Sequence, residues 1–294
     1  MTLPRRQFLA HSAAGLAALS ALPCSGAAAA DSSASRLKLG LVTYNWGKNW
    51  DLPTVIANCE ATGFKGVELR STHKHGVEID LDAAQRAAVR QRFADSDVEL
   101  VGLGSACEYH AVDPAVLQKN IEETKQFVKL CRDVGGSGVK VRPNGLPAER
   151  PVEATIEQIG KSLNQVGRFG AEHGVQIRVE VHGRGTSEIH HMKSIMDVAD
   201  HPNVVVCWNC NPADLHGDGL QANYRSLQDR MGTIHIHDLR GDQYPWEALF
   251  ELLKQTDAPG FTGWTLLEDG RVPEDIVAAM KANTEVWNTL AGRG

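Results

Sequence analysis

From Leu37 onward, short apolar runs alternate with amphipathic stretches. The runs fall at 39–44, 66–69, 98–103, 138–141, 176–181, 204–207, 232–236 and 263–267. They are rich in Val, Ile and Leu, are bounded by glycine and are too short for helices, so they predict strands buried on both faces. Between them the polar and apolar positions take a helical period at 51–62, 81–93, 114–134, 151–173, 187–199, 219–227, 245–255 and 273–290. The boundaries carry start and stop signals. Asp51-Leu-Pro opens the first helix and Asp113-Pro114 the third, which stops at Gly135-Gly136, and the fourth ends at Gly174.

Strand and helix in strict alternation, repeated eight times, predict an α/β fold closed as one (β/α)8 TIM barrel over residues 36–292. A doubly wound open sheet needs a glycine-rich phosphate turn after its first strand. Here that turn reads Tyr44-Asn-Trp-Gly-Lys-Asn-Trp50 and has no G-x-G-x-x-G spacing. A length of 294 residues suits one barrel, and no internal repeat or low-complexity linker marks a second domain.

Residues 1–30 read as a cleavable signal peptide of the twin-arginine type. Pro4-Arg5-Arg6-Gln7-Phe8-Leu9 is followed by an apolar run from Ala13 to Leu22 and by small residues, Ala27 to Ala30, before Asp31. The apolar run is shorter than the roughly 20 residues a membrane span needs. Pro23 argues against a lipidated Cys24. The expected location is periplasmic or otherwise extracytoplasmic, with no stable membrane span in the mature protein. The formal charge of −6 is spread along the chain without a basic block, which argues against nucleic acid as a partner. Of the six cysteines, Cys24 leaves with the signal, and the odd remainder (Cys59, Cys107, Cys131, Cys207, Cys210) is no disulfide framework. Cys207-Trp-Asn-Cys210 matches C-x-x-C, but no second pair completes a structural zinc site.

In a barrel of this kind the site lies on the face where the strands end. The polar residues at predicted strand ends are Glu68, Lys140, Arg142, Glu180, His182, Asn209, His235, His237 and Glu268. The loops beyond add His73, His75, Glu108, His110, Arg184, Asn211, Asp214, His216 and Arg240. Charged groups at such positions are costly unless paired or bound to a metal. Each also has a plainer reading. Glu180 and Glu268 can form salt bridges with Arg142, Arg184 or Arg271. Asn209 can be a turn residue, and His73 and His75 can be exposed in their loop. His235 and His237 share a strand face, so one of them can be a packed core histidine, and His237, nearer the strand end, is the better ligand. Two glutamates, an amide oxygen and an imidazole form a hard, oxygen-rich donor set suited to Mn²⁺, Mg²⁺, Co²⁺ or catalytic Zn²⁺.

Val179-Glu-Val-His182, Trp208-Asn-Cys-Asn-Pro-Ala-Asp214, His235-Ile-His-Asp-Leu239 and Leu267-Glu-Asp269 resemble the xylose-isomerase-like barrel superfamily. The likeness extends over about 37–290 and is nearest to exported members called sugar phosphate isomerase/epimerase. It implies a metal held at the ends of strands five to eight by Glu180, Asn209, His237 and Glu268. Asn209 stands where ketose epimerases carry Asp, so the implied site has one negative charge fewer. The implied reaction is proton abstraction next to a sugar carbonyl through a metal-stabilised enediolate, with Glu180 and Glu268 as acid and base. His182, Arg240, Lys140, Arg142, Glu68, His75 and Trp46 are the expected substrate-binding residues, and Trp50 and Trp208 are further candidates for stacking on a sugar.

If the substrate carries a β leaving group, as a keto-sugar, keto-glycoside or inosose would, the same enediolate gives a lyase or dehydratase. Phosphodiester cleavage of the endonuclease-IV type needs Asp-x-x-His after strand six, and Asn209-Cys-Asn-Pro212 lacks it. A sugar-binding barrel without turnover is the third alternative. The expected partner is a small-molecule sugar, and homo-oligomerisation is left open.

Overall fold

The computed structural model describes residues 36–293, so the expected signal peptide lies outside the described residues. The barrel strands are β1 (Lys38–Val42), β2 (Gly66–Arg70), β3 (Glu99–Glu108), β4 (Gly138–Arg142), β5 (Gln176–Glu180), β6 (Val204–Trp208), β7 (Met231–Ile236) and β8 (Trp264–Leu267). All neighbouring pairs run parallel, and β1 pairs with both β2 and β8, which closes the barrel. The helices are α1 (Leu52–Thr62), α2 (Ala83–Ala94), α3 (Pro114–Val134), α4 (Val152–Glu172), α5 (Ile189–Val198), α6 (Gly219–Leu227), α7 (Trp246–Gln255) and α8 (Ile276–Leu290).

Local chemistry explains where these elements start and stop. Asp51 caps α1 by accepting from the Thr54 amide, and Asp82 forms a capping box with Gln85 at α2. Gly63 and Gly135 take left-handed conformations (φ 82° and 92°) that end α1 and α3 without the strain a Cβ would bring. Two features go beyond the sequence expectation. β3 extends past 103 to Glu108: Gly104 pairs with Lys140 of β4, and after a register shift in the small or buried stretch that follows, Glu108 comes opposite Arg142. A two-residue ladder joins Asn144–Gly145 to Gly183–Arg184 above the barrel rim, and elements that short leave no apolar pattern to read.

The outer face of the sheet packs on the helices through Val, Ile and Leu. The lumen is different. Positions two apart along a strand share a face, so Gly66 and Glu68, Gly138 and Lys140, Arg178 and Glu180, and Thr233 and His235 all point inward. Glu68, Lys140, Arg178, Glu180 and His235 are buried. His235 of β7 lies 3.5 Å from Glu68 of β2. Those strands are separated by β8 and β1 around the barrel, so the contact crosses the interior. Many barrels fill this space with branched apolar layers. Here the lower lumen holds the Arg178 guanidinium, which donates to Val101 O (2.9 Å) and Ser137 Oγ (2.9 Å).

Candidate active site

Three carboxylates, an ammonium and an imidazole meet inside the C-terminal half of the barrel. Glu180, last residue of β5, accepts a 2.7 Å hydrogen bond on Oε2 from Lys140 Nζ of β4. Its Oε1 lies 3.7 Å from His235 Nδ1. The same nitrogen is 3.1 Å from Glu268 Oε2, just beyond β8. On the far side of the ring, Nε2 faces Glu68 Oε1 at 3.5 Å. Among the described residues, Glu180, His235 and Glu268 form a group whose ligand atoms all lie within 4.8 Å of one another.

The electrostatics follow from this crowding. Burial works against the charge of Glu180, yet Lys140 and His235 outweigh it and hold the carboxyl well below the usual range. Burial likewise opposes the charge on Lys140, and Glu180, Glu268 and Glu68 reverse the effect and raise its pKa. Burial also disfavours the His235 imidazolium, but the Cys207 sulfur, Glu268 and Glu68 raise its pKa well above that of a free histidine. Glu68 is lowered against its burial by His235 and Lys140, although neither of its oxygens has a hydrogen-bond partner.

The structure thus brings His235, rather than His237, together with the two glutamates. His237 follows the strand end and donates from Nδ1 to the Glu268 carbonyl at 2.7 Å. A carbonyl can only accept, so in the neutral ring Nε2 is the free acceptor, the arrangement common in metal-binding histidines. Asn209 sits just beyond β6 with a buried Oδ1 that has no partner. An orphaned amide oxygen, two converging carboxylates and an oriented imidazole fit a divalent cation.

The other expected residues divide between rim and scaffold. His182 bonds Asn144 (2.7 Å), and burial, aided by Arg142 and Lys140, keeps its pKa low despite Glu180. Arg142 is paired with Glu108 at 2.6 Å, and its buried Nε has no hydrogen-bond partner; Nδ1 of neighbouring His110 also has none but lies 3.9 Å from Glu108 Oε2. Arg240 is clamped on Asp238, with Nε 2.7 Å from Oδ1. It lines a surface pocket with Gln243, Asp269 and Arg271. Lys140 and Glu68 lie below the rim within the ion-pair cluster. Trp46 is buried and donates to Arg271 O at 2.7 Å, tying the loop after β1 to the loop after β8. His75 spends both ring nitrogens on backbone, Nε2 on Arg70 O and Nδ1 on the Val77 amide. Trp208 is buried, and its Nε1 donates to Tyr244 Oη at 3.2 Å. Cys207 and Cys210 are buried free thiols.

Sequence reasoning missed two relations. One is the Lys140–Glu180 pair; the inward phase of Gly138-x-Lys140 beside Arg178-x-Glu180 was the available signal. The other is the buried Asp214–Tyr244 hydrogen bond of 2.8 Å, formed by residues 30 positions apart with no shared motif.

The chain belongs to the xylose isomerase-like TIM barrel family, which its residues 56–287 match. An L-ribulose 3-epimerase from Methylomonas sp. (strain DH-1) is 22% identical over 242 residues, covering 76% of this chain and 82% of that protein. The apo crystal structure of 3-keto-D-glucoside 4-epimerase from E. coli superimposes with a TM-score of 0.72 at 16% identity, over 86% of this chain and 99% of the other. The IOLI protein with a bound zinc atom gives a TM-score of 0.72 at 15% identity, over 87% and 99%. At these identities the structural likenesses show the fold alone.

Proposed function

We propose that this chain is a metal-dependent sugar isomerase or epimerase that works by proton abstraction next to a carbonyl. The observation that carries the reading is the convergence of Glu180 and Glu268, with His235 between them, at the ends of the strands. The epimerases among its relatives support it, and the zinc in one similar barrel supports a metal. Glu180, Asn209, His237 and Glu268 would hold a divalent ion such as Mn²⁺, Mg²⁺, Co²⁺ or Zn²⁺. When bound, the ion supplies Lewis-acid polarisation of the sugar carbonyl and its neighbouring hydroxyl.

The chain's own groups do the proton transfers. Two carboxylates can share them, one removing the proton from carbon and the other returning one. Glu268 is the more open, its side chain 12% exposed against 3% for Glu180. Glu180 is kept ionised by Lys140. His182, Arg142 and Arg240 on the rim orient hydroxyl groups. The Trp46–Arg271 strut holds two rim loops together. A substrate with a β leaving group turns the same abstraction into elimination, and the likeness to a keto-glucoside epimerase makes keto-glycosides the substrates to include.

The test is solvent exchange. Metal-loaded protein incubated in D₂O with ketoses and keto-glycosides is expected to place deuterium on the carbon next to the carbonyl. Glu180→Gln and Glu268→Gln should each cut the rate by about 10²-fold or more. Product analysis separates epimerisation from elimination. No exchange with any substrate, together with no uptake of divalent metal, would leave a sugar-binding barrel and overturn the proposal.

A further inference from the structure

The buried ion pair between Lys140 and Glu180 keeps the carboxylate ionised, and its position has a second consequence for a bound cation. Its geometry is tight: Nζ lies 2.7 Å from Oε2, and the two side chains are 2% and 3% exposed. The pair is also locked from below. Lys140 stands directly above Gly138 on the inner face of β4. At Gly138 a Cβ would lie 2.4 Å from the Arg178 Cζ, so the guanidinium occupies the space under the ammonium. A like charge lies beneath Lys140, and Glu180 is the carboxylate that accepts its hydrogen bond. Asn209, the one uncharged oxygen donor of the set, has a buried Oδ1 with no hydrogen-bond partner.

We propose that Lys140 is a built-in counter-ion that competes with the divalent cation for Glu180, so that Lys140 sets how tightly the site holds metal. This rests on Glu180 being a ligand. The physical reason is double. The ammonium spends one carboxylate oxygen, and its charge opposes the arrival of a second cation in a region where water screens little. Lys140 is a positioning residue here: it touches Glu180, not the sugar.

Direct metal binding tests the inference without recourse to turnover. Mn²⁺ is titrated calorimetrically into chelator-stripped full-length protein as wild type, Lys140→Gln, Lys140→Met, Lys140→Arg and Glu180→Gln. The expected result is Mn²⁺ binding about tenfold or more tighter in Lys140→Gln and Lys140→Met, and wild-type-like or weaker in Lys140→Arg, which keeps the charge. Glu180→Gln reports on the ligand reading separately, since it should lose binding in either case. Wild type that binds no Mn²⁺ beside a Lys140→Gln variant that does would support the counter-ion and count against metal-dependent catalysis. Equal or weaker binding in the two uncharged variants overturns the inference, as does absence of binding in every variant. Removing Lys140 takes the ammonium from a buried carboxylate and can unfold the chain. The proposal then requires Mn²⁺ to restore the thermal transition, and failure of metal to rescue either variant overturns it as well.

Discussion

Asp214 shows how one residue's surroundings fix its chemistry. It lies in the short turn after β6, is buried, and its carboxylate accepts from Tyr244 Oη at 2.8 Å. Burial pushes its pKa up from 3.8 to about 7, only partly offset by the bonds from Tyr244 and the Asn211 backbone. The sign of the pH effect follows. Between those two values the unfolded chain has released a proton that the folded chain still holds, so stability falls as pH rises through that window and levels off above it. Asp214→Asn removes the titration while keeping an acceptor for Tyr244. It should gain roughly 2–4 kcal/mol relative to wild type on going from pH 5 to pH 8, measured by urea denaturation at both. A difference between the two proteins that does not change with pH would show that Asp214 ionises freely in the fold. At this scale the sequence marked Glu180, Asn209, His237 and Glu268 as candidates from their strand-end positions. It could not assign His235, because an imidazole in the right phase on a strand looks the same whether it meets leucine or carboxylate across the lumen.

Elements were more legible than contacts. Apolar runs and cap signals depend on neighbours a few residues away, and the helices begin and end within a few positions of the expected places. The end of β3 was harder, since the register shift between Gly104 and Glu108 that brings Glu108 opposite Arg142 depends on the partner strand. The same holds for the glycines inside the barrel. Gly138 has an ordinary backbone conformation, so local propensity gives no reason for glycine there. The reason is on the neighbouring strand β5, where Arg178 is held by its own hydrogen bonds and fills the space beside Gly138. Gly138→Ala is expected to cost about 2–3 kcal/mol in chemical denaturation. Gly270→Ala, where a Cβ would meet nothing within 4 Å, should stay within about 0.5 kcal/mol. Equal effects at the two positions would mean that Arg178 is not fixed.

For the whole molecule, the alternation of strand and helix defined a closed barrel before any contact was known, and sheet order and family membership agree with it. Export is a separate proposal that rests on residues 1–30. Replacing Arg5 and Arg6 with lysine should keep the protein in the cytoplasm in its unprocessed length, as read by cell fractionation and mass; unchanged export would remove the twin-arginine reading. The sequence by itself determined the fold, the end of the barrel that carries the site and the kinds of donor atoms found there, because periodicity and strand-end position are local properties of the chain. Tertiary structure alone decided which groups touch. Closing the sheet set His235 among Glu68, Glu180 and Glu268, placed Lys140 on Glu180, and turned Trp46 and His75 to backbone partners. The charged contacts depend on which strands closure makes neighbours, as for Lys140 and Glu180, or sets facing across the lumen, as for His235 and Glu68, and on a low-dielectric interior in which each charge is answered by another rather than by water.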